Sequence, residues 1–114
     1  MSKVLGMHEI TLGDGADAAE FERLAGAVVG LPAPPGMAVK ILKGDRGART
    51  GQYTLVIEMD SIEVRDRYFP IEHEESPELL AFYAANPDAS EAWQRFTSFE
   101  PSSDVDTDYV VIAE

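Results

Sequence analysis

Cysteine is absent from the 114 residues. That excludes disulfides and thiolate metal sites, and it leaves the redox compartment open, with the cytoplasm as the default expectation. No run approaches the ~20 apolar residues of a membrane-spanning helix. The opening MSKVLGMHE lacks the apolar core of a signal peptide. Positive charge is scarce: nine Lys and Arg stand against 21 Asp and Glu, a net charge of −12. Such a field repels phosphate backbones and anionic membranes, so neither nucleic acid nor a membrane is an expected partner. There is no internal repeat and no low-complexity tract. The length fits a single domain, 1–114, long enough to bury a real core.

What positive charge there is clusters. Residues 40–67 hold six of the nine basic side chains and five acids, a net +1 against −13 for the rest. The patch could seat an anionic ligand, dock on the acidic surface of a second subunit, or simply be solvated charge on a turn and a helix face.

The most regular stretch is 36–60, GMAVKILKGDRGARTGQYTLVIEMD. It alternates with period two on either side of a Gly-rich turn and reads as a β-hairpin. One face, Met37, Val39, Ile41, Tyr53, Leu55, Ile57 and Met59, is wholly apolar. The other carries Lys40, Thr54 and Glu58. Before the hairpin, Val4–Leu12 reads as a strand with His8 in the middle. Asp17 and Glu20 form an approximate capping box for a helix that carries Phe21, Leu24, Ala25 and Val28 at helical spacing and stops at Gly30. LPAPPG, 31–36, is a stiff connector. After the hairpin, Ser61 caps a helix ending at Pro70, and Ser76-Pro77 starts a second, apolar one. Ala89–Phe99 reads as a third helical piece, 100–107 as an acidic loop, and Asp108–Ala113 as the last strand. The order is β-α-β-β-α-β with the second helical region divided. This predicts an α+β, ferredoxin-like βαββαβ fold, a four-stranded antiparallel sheet with helices on one face. The other face, carrying Leu42 and Val56, is too apolar to stay exposed, and a second copy could cover it.

The first strand GMHEITL, the loop GDGAD leading into a helix, and YTLVIEMDS leading into the next helix, taken with this element order over nearly the whole chain, resemble the dimeric α/β-barrel superfamily. Its members include cofactor-free, antibiotic-biosynthesis-type monooxygenases, haem-degrading enzymes, muconolactone isomerases and stress-responsive barrel proteins. The resemblance implies a homodimer closed sheet to sheet, with a small-ligand cavity between sheet and helices of each subunit. The haem degraders use an Asn, a Trp and a His in defined places. Here Trp93 falls on a helical stretch and the first strand has no matching Asn, so haem degradation is not expected. The additional helix near 77–85 is a departure from the simplest members that would reshape or fill a cavity.

Among the polar residues, His8 stands out, because small environmental shifts move an imidazole across neutrality. It is read either as a general base or substrate orienter or as a satisfied core histidine. Lys40 and Glu58 share a face of adjacent strands and could pair across them. Counting inwards from the turn brings Lys43 opposite Gln52 and Lys40 near Thr54 and Tyr53. KGDRGARTG, 43–51, lacks the phosphate-loop spacing; its glycines suit a long turn, from which Arg46 and Arg49 could reach a partner. Lys40, Thr54, Glu58, Arg46 and Arg49 are the expected dimer-interface residues. Glu72-His73-Glu74-Glu75 groups potential ligands, but adjacent loop residues rarely converge on one cation, so no metal and no cofactor is expected. If the chain is an enzyme, His8 is its catalytic residue, with Tyr68, His73 and Trp93 lining a pocket for a small aromatic ligand. The competing expectation is a non-catalytic structural or stress-related interaction protein whose cavity is filled. A cavity beside His8 separates the two.

Overall fold

The computed structural model describes residues 2–72, 74–99 and 106–114. His73 and most of the acidic loop after the last helix lie outside the described residues. The elements run β1 (Val4–Ile10), α1 (Ala18–Val29), β2 (Met37–Lys43), β3 (Tyr53–Met59), α2 (Ile62–Tyr68), α3 (Pro77–Ala85), α4 (Pro87–Thr97) and β4 (Asp106–Val110). The strands form one antiparallel sheet in the order β2-β3-β1-β4. This is the ferredoxin-like arrangement, with helices on one face of the sheet.

Local chemistry sets the boundaries. The Asp17 carboxylate accepts from the Glu20 amide at the start of α1, but the Glu20 side chain turns to Arg23 instead of closing the box. The Ser61 hydroxyl accepts from the Val64 amide, and that of Ser76 from the Leu79 amide. Pro87 occupies the first turn of α4, so the helix begins two residues before the expected Ala89. The main core lies between the sheet and α1 and α4. Phe21, buried at its centre, packs against Tyr53, Phe96 and Phe99. Ile10, Ala25 and Val28 complete it, with Val39, Ile41 and Leu55 from the apolar hairpin face against it.

The hairpin register and the bounds of the last strand also differ from the sequence expectation. The hairpin register places Lys43 opposite Tyr53 and Lys40 opposite Val56. The turn absorbs Gln52, because the Gly44 amide donates to the Gln52 carbonyl at 2.8 Å and the Gly51 amide returns a bond to the Gly44 carbonyl at 2.9 Å. Gly44 is required there: a Cβ would lie 2.1 Å from the Arg49 carbonyl oxygen. The last strand is Asp106–Val110, not Asp108–Ala113. Its pairing with β1, Val4 opposite Val110 and His8 opposite Asp106, extends it through an acidic segment that intrinsic strand preference disfavours.

The helix-free face carries Leu5, Met7, Glu9, Leu42, Thr54, Val56, Glu58 and Tyr109. Val56 is buried by its neighbours, whereas Leu42 and Tyr109 are 46% and 53% exposed. Among the described residues, no helix is long and apolar enough to cross a membrane.

Candidate functional site

Period two along β1 directs Val4, Gly6, His8 and Ile10 to the helix side of the sheet. Val4 and Ile10 are buried there, while His8 keeps 25% of its side chain accessible. The reason is positional. α1 and α4 cover the end of the sheet near Ile10 and Tyr53. Toward β4 the covering layer stops at α2 and the residues after it. The result is a cleft of about 510 Å³. β1 contributes Gly6 and His8 to it, β3 contributes Ile57 and Met59, and β4 contributes Asp106, Thr107 and Asp108. Arg65 and Asp66 on α2, followed by Phe69, Pro70 and Glu72, form the opposite wall.

The register builds the polar part. Asp106 is the direct cross-strand neighbour of His8, and Asp108 that of Gly6. His8 Nδ1 lies 2.9 Å from Asp106 Oδ1, with the two side chains 25% and 21% exposed. Arg65 Nη1 donates to Asp108 Oδ2 at 2.9 Å, and its Nε donates to Asp66 Oδ1 at 2.9 Å. The hydrogen bonds to Asp66 and then to Asp108 raise Arg65 above its ordinary value, so it stays a cation. Gly6 leaves the floor bare: a Cβ there would sit 3.2 Å from Asp108 Oδ1 and 3.6 Å from His8 Nε2. His8 Nε2 and the Asp108 carboxylate therefore border the space over Gly6. A neutral imidazole that donates its Nδ1–H hydrogen bond to Asp106 presents Nε2 as an acceptor, the arrangement by which a carboxylate orients a histidine base.

The other expected pocket residues lie elsewhere. Tyr68 is 1% exposed, and its hydroxyl donates to the Pro35 carbonyl at 2.8 Å, tying α2 to the proline connector. Trp93 stands edge-on to Phe96 beside the main core. Neither lines the cleft. His73 falls outside the described residues, and among those residues no group of three or more metal-ligating side chains converges. Arg65, Asp106, Asp108 and Gly6 were not singled out from the sequence as site residues. The signal present was the alternation Asp-Thr-Asp at 106–108, which puts both carboxylates on the face that carries His8.

The expected interface residues spread over the helix-free face and its turn. Glu58 accepts from Lys3 Nζ at 2.6 Å and from Lys40 Nζ at 3.2 Å, so the cross-strand pair forms on the diagonal. Lys3 and then Lys40 hold the Glu58 carboxyl below its ordinary value. Thr54 lies half-buried between Leu42 and Glu9. Arg49 turns back onto its own protomer, donating to the Tyr53 carbonyl at 2.7 Å and pairing with Glu9 at 3.1 Å. Arg46 is exposed at the tip of the turn.

No family model and no curated protein matches the chain. Two solved structures are similar along nearly its whole length. One is a dimeric protein of unknown function and ferredoxin-like fold from Bacteroides fragilis NCTC 9343, with a TM-score of 0.52 and 16% identity over 96% of each chain. The other is At3g17210 from Arabidopsis thaliana, with a TM-score of 0.47 and 18% identity over 100% of this chain and 96% of that one. The first likeness shows the fold.

Proposed function

We propose that this protein is a homodimer closed through its helix-free sheet faces, and that each protomer binds a small aromatic ligand in the cleft beside His8. In this reading His8 is the base or ligand orienter of a cofactor-free, monooxygenase-like reaction. The observation that carries the proposal is the cleft itself. Its volume of about 510 Å³ falls within the ~300–1,000 Å³ of small-molecule sites. Ile57, Met59, Phe69 and Pro70 give it apolar walls, and the His8–Asp106 pair gives it one oriented imidazole. In a reaction of that class an aromatic substrate loses a proton to the base and its electrons reduce dioxygen. One oxygen atom enters the product and the other leaves as water. The dimeric state of the Bacteroides fragilis protein supports a homodimer, and the exposed Leu42 and Tyr109 on the helix-free face favour that face as the surface a second copy covers.

The competing reading, a non-catalytic interaction protein with a filled interior, draws on the buried Tyr68 and on Trp93 stacked edge-on against Phe96. A thermal-shift screen of small aromatic compounds separates the two, since a ligand that binds only the folded state raises the melting temperature. Ligands that stabilise the wild type, with His8→Ala retaining the shift but losing any turnover, support the enzyme. A screen in which no aromatic compound moves the melting temperature at millimolar concentration favours the filled-interior protein.

A further inference from the structure

The ring of charge around the cleft specifies what kind of ligand it takes. Among the described residues, its polar walls carry four carboxylates, Asp66, Glu72, Asp106 and Asp108, against one guanidinium, Arg65, and the His8 imidazole. Arg65 is already divided between Asp66 and Asp108, at 2.9 Å from each. An incoming carboxylate would have to displace one of them to reach it. Even with both Arg65 and His8 charged, these described wall residues keep two formal negative charges, and with His8 neutral they keep three. The chain as a whole is at −12, so no distant field reverses the sign. Behind this polar wall lie Ile57, Met59 and the Phe69 ring, and an aromatic face attracts cations as well as apolar groups.

We infer that the cleft selects an amphipathic organic cation, an amine or ammonium group attached to a small apolar or aromatic body, and discriminates against carboxylates of the same shape. The inference rests on the ligand-binding reading of the cleft and names its ligand class. The cationic group sits between Asp108 and Asp106 over the bare floor of Gly6. There Asp108 Oδ1 and His8 Nε2 close in over Gly6, 3.2 Å and 3.6 Å from where a Cβ would lie. The apolar body lies against Ile57 and Phe69. His8 Nε2 borders the same space, so it meets the ligand next to its charged group.

The test uses three isosteric probes, 2-phenylethylamine, 2-phenylethanol and 3-phenylpropionate, titrated at low ionic strength into the full chain. Affinity is read by calorimetry and location by backbone-amide NMR. The amine should bind about tenfold more tightly than the alcohol, because hydrogen bonds to charged groups are the stronger ones. The acid should bind more weakly than both. Shifts should centre on Gly6, His8 and Thr107. Glu72→Gln together with Asp66→Asn, both exposed positions, should reduce the amine's advantage severalfold and leave the alcohol's affinity unchanged. Binding of the alcohol or acid in the cleft at equal or higher affinity than the amine overturns the inference while leaving the cleft a ligand site. Amine shifts scattered over the surface, away from Gly6 and Thr107, show only attraction to an acidic protein and also overturn it. Absence of binding by all three overturns both the inference and the ligand-binding reading.

Discussion

His8 was legible as a candidate because a histidine among the apolar residues of a strand is conspicuous. What makes it a candidate site is supplied by residues that look ordinary in the sequence. Gly6 matters for the Cβ it lacks. Asp106 reads as a loop acid and Asp108 as the first residue of a strand until pairing with β1 puts both on the face of His8. Arg65 reads as one more base in the patch. Two predictions belong at this scale. Gly44→Ala forces a Cβ against the Arg49 carbonyl at 2.1 Å, and the resulting overpacking should cost about 1–3 kcal/mol in denaturant unfolding. The second concerns Tyr53, whose hydroxyl donates to Glu22 Oε2 at 2.6 Å. That bond, and then those from Lys43, hold the Glu22 carboxyl below its ordinary value. A carboxyl depressed in the folded state stabilises above its unfolded value and loses that contribution as pH falls through the folded one. The stability gap between wild type and Tyr53→Phe, measured by urea titration, should be widest near neutral pH and should shrink below about pH 4.

Elements were easier to read than their ends. The helix starts at Asp17, Ser61 and Ser76 follow from side-chain oxygens that meet the amide three residues on. The hairpin follows from period two. The register did not follow from the turn, because nothing in KGDRGARTG signals that Gly44 and Gln52 close it with a backbone bond. The start of β4 was missed because strand propensity penalises aspartate, whereas the ladder with β1 and the partners His8 and Arg65 hold two of them in place. Tyr68 and Trp93 were expected at the cavity because aromatic walls line both pockets and cores. The Tyr68 hydrogen bond places it in the interior, and Trp93 packs partly buried against Phe96 at the edge of the core. α2 has only seven residues and carries Arg65, so its cap has leverage over the cleft. Ser61→Ala should cost about 1 kcal/mol of global stability. It should also raise amide exchange across α2 more than across α1, a contrast that native-state hydrogen exchange detects.

At the scale of the molecule, the order β-α-β-β-α-β specified the sheet, because crossover handedness leaves few alternatives. That order also left one sheet face without helices, with Leu42 and Tyr109 in solvent and Val56 between them. Burying that face in a second copy predicts a species of twice the 12.4 kDa of one chain by light scattering at micromolar concentration. Leu42→Glu, which adds a third carboxylate to the face that carries Glu9 and Glu58, should shift the population toward the single chain. The cleft was not legible at this scale, since it exists only where the helical layer stops short of β4. The most direct test of the account is therefore a titration of the isotope-labelled protein with small aromatic compounds, followed residue by residue through its backbone amides. The account predicts saturable shifts concentrated at Gly6, His8, Phe69 and Thr107. Saturable binding confined to a second groove, lined by Gly26 and Val29 of α1 and Ile41 and Lys43 of β2, or no binding at all, would contradict it.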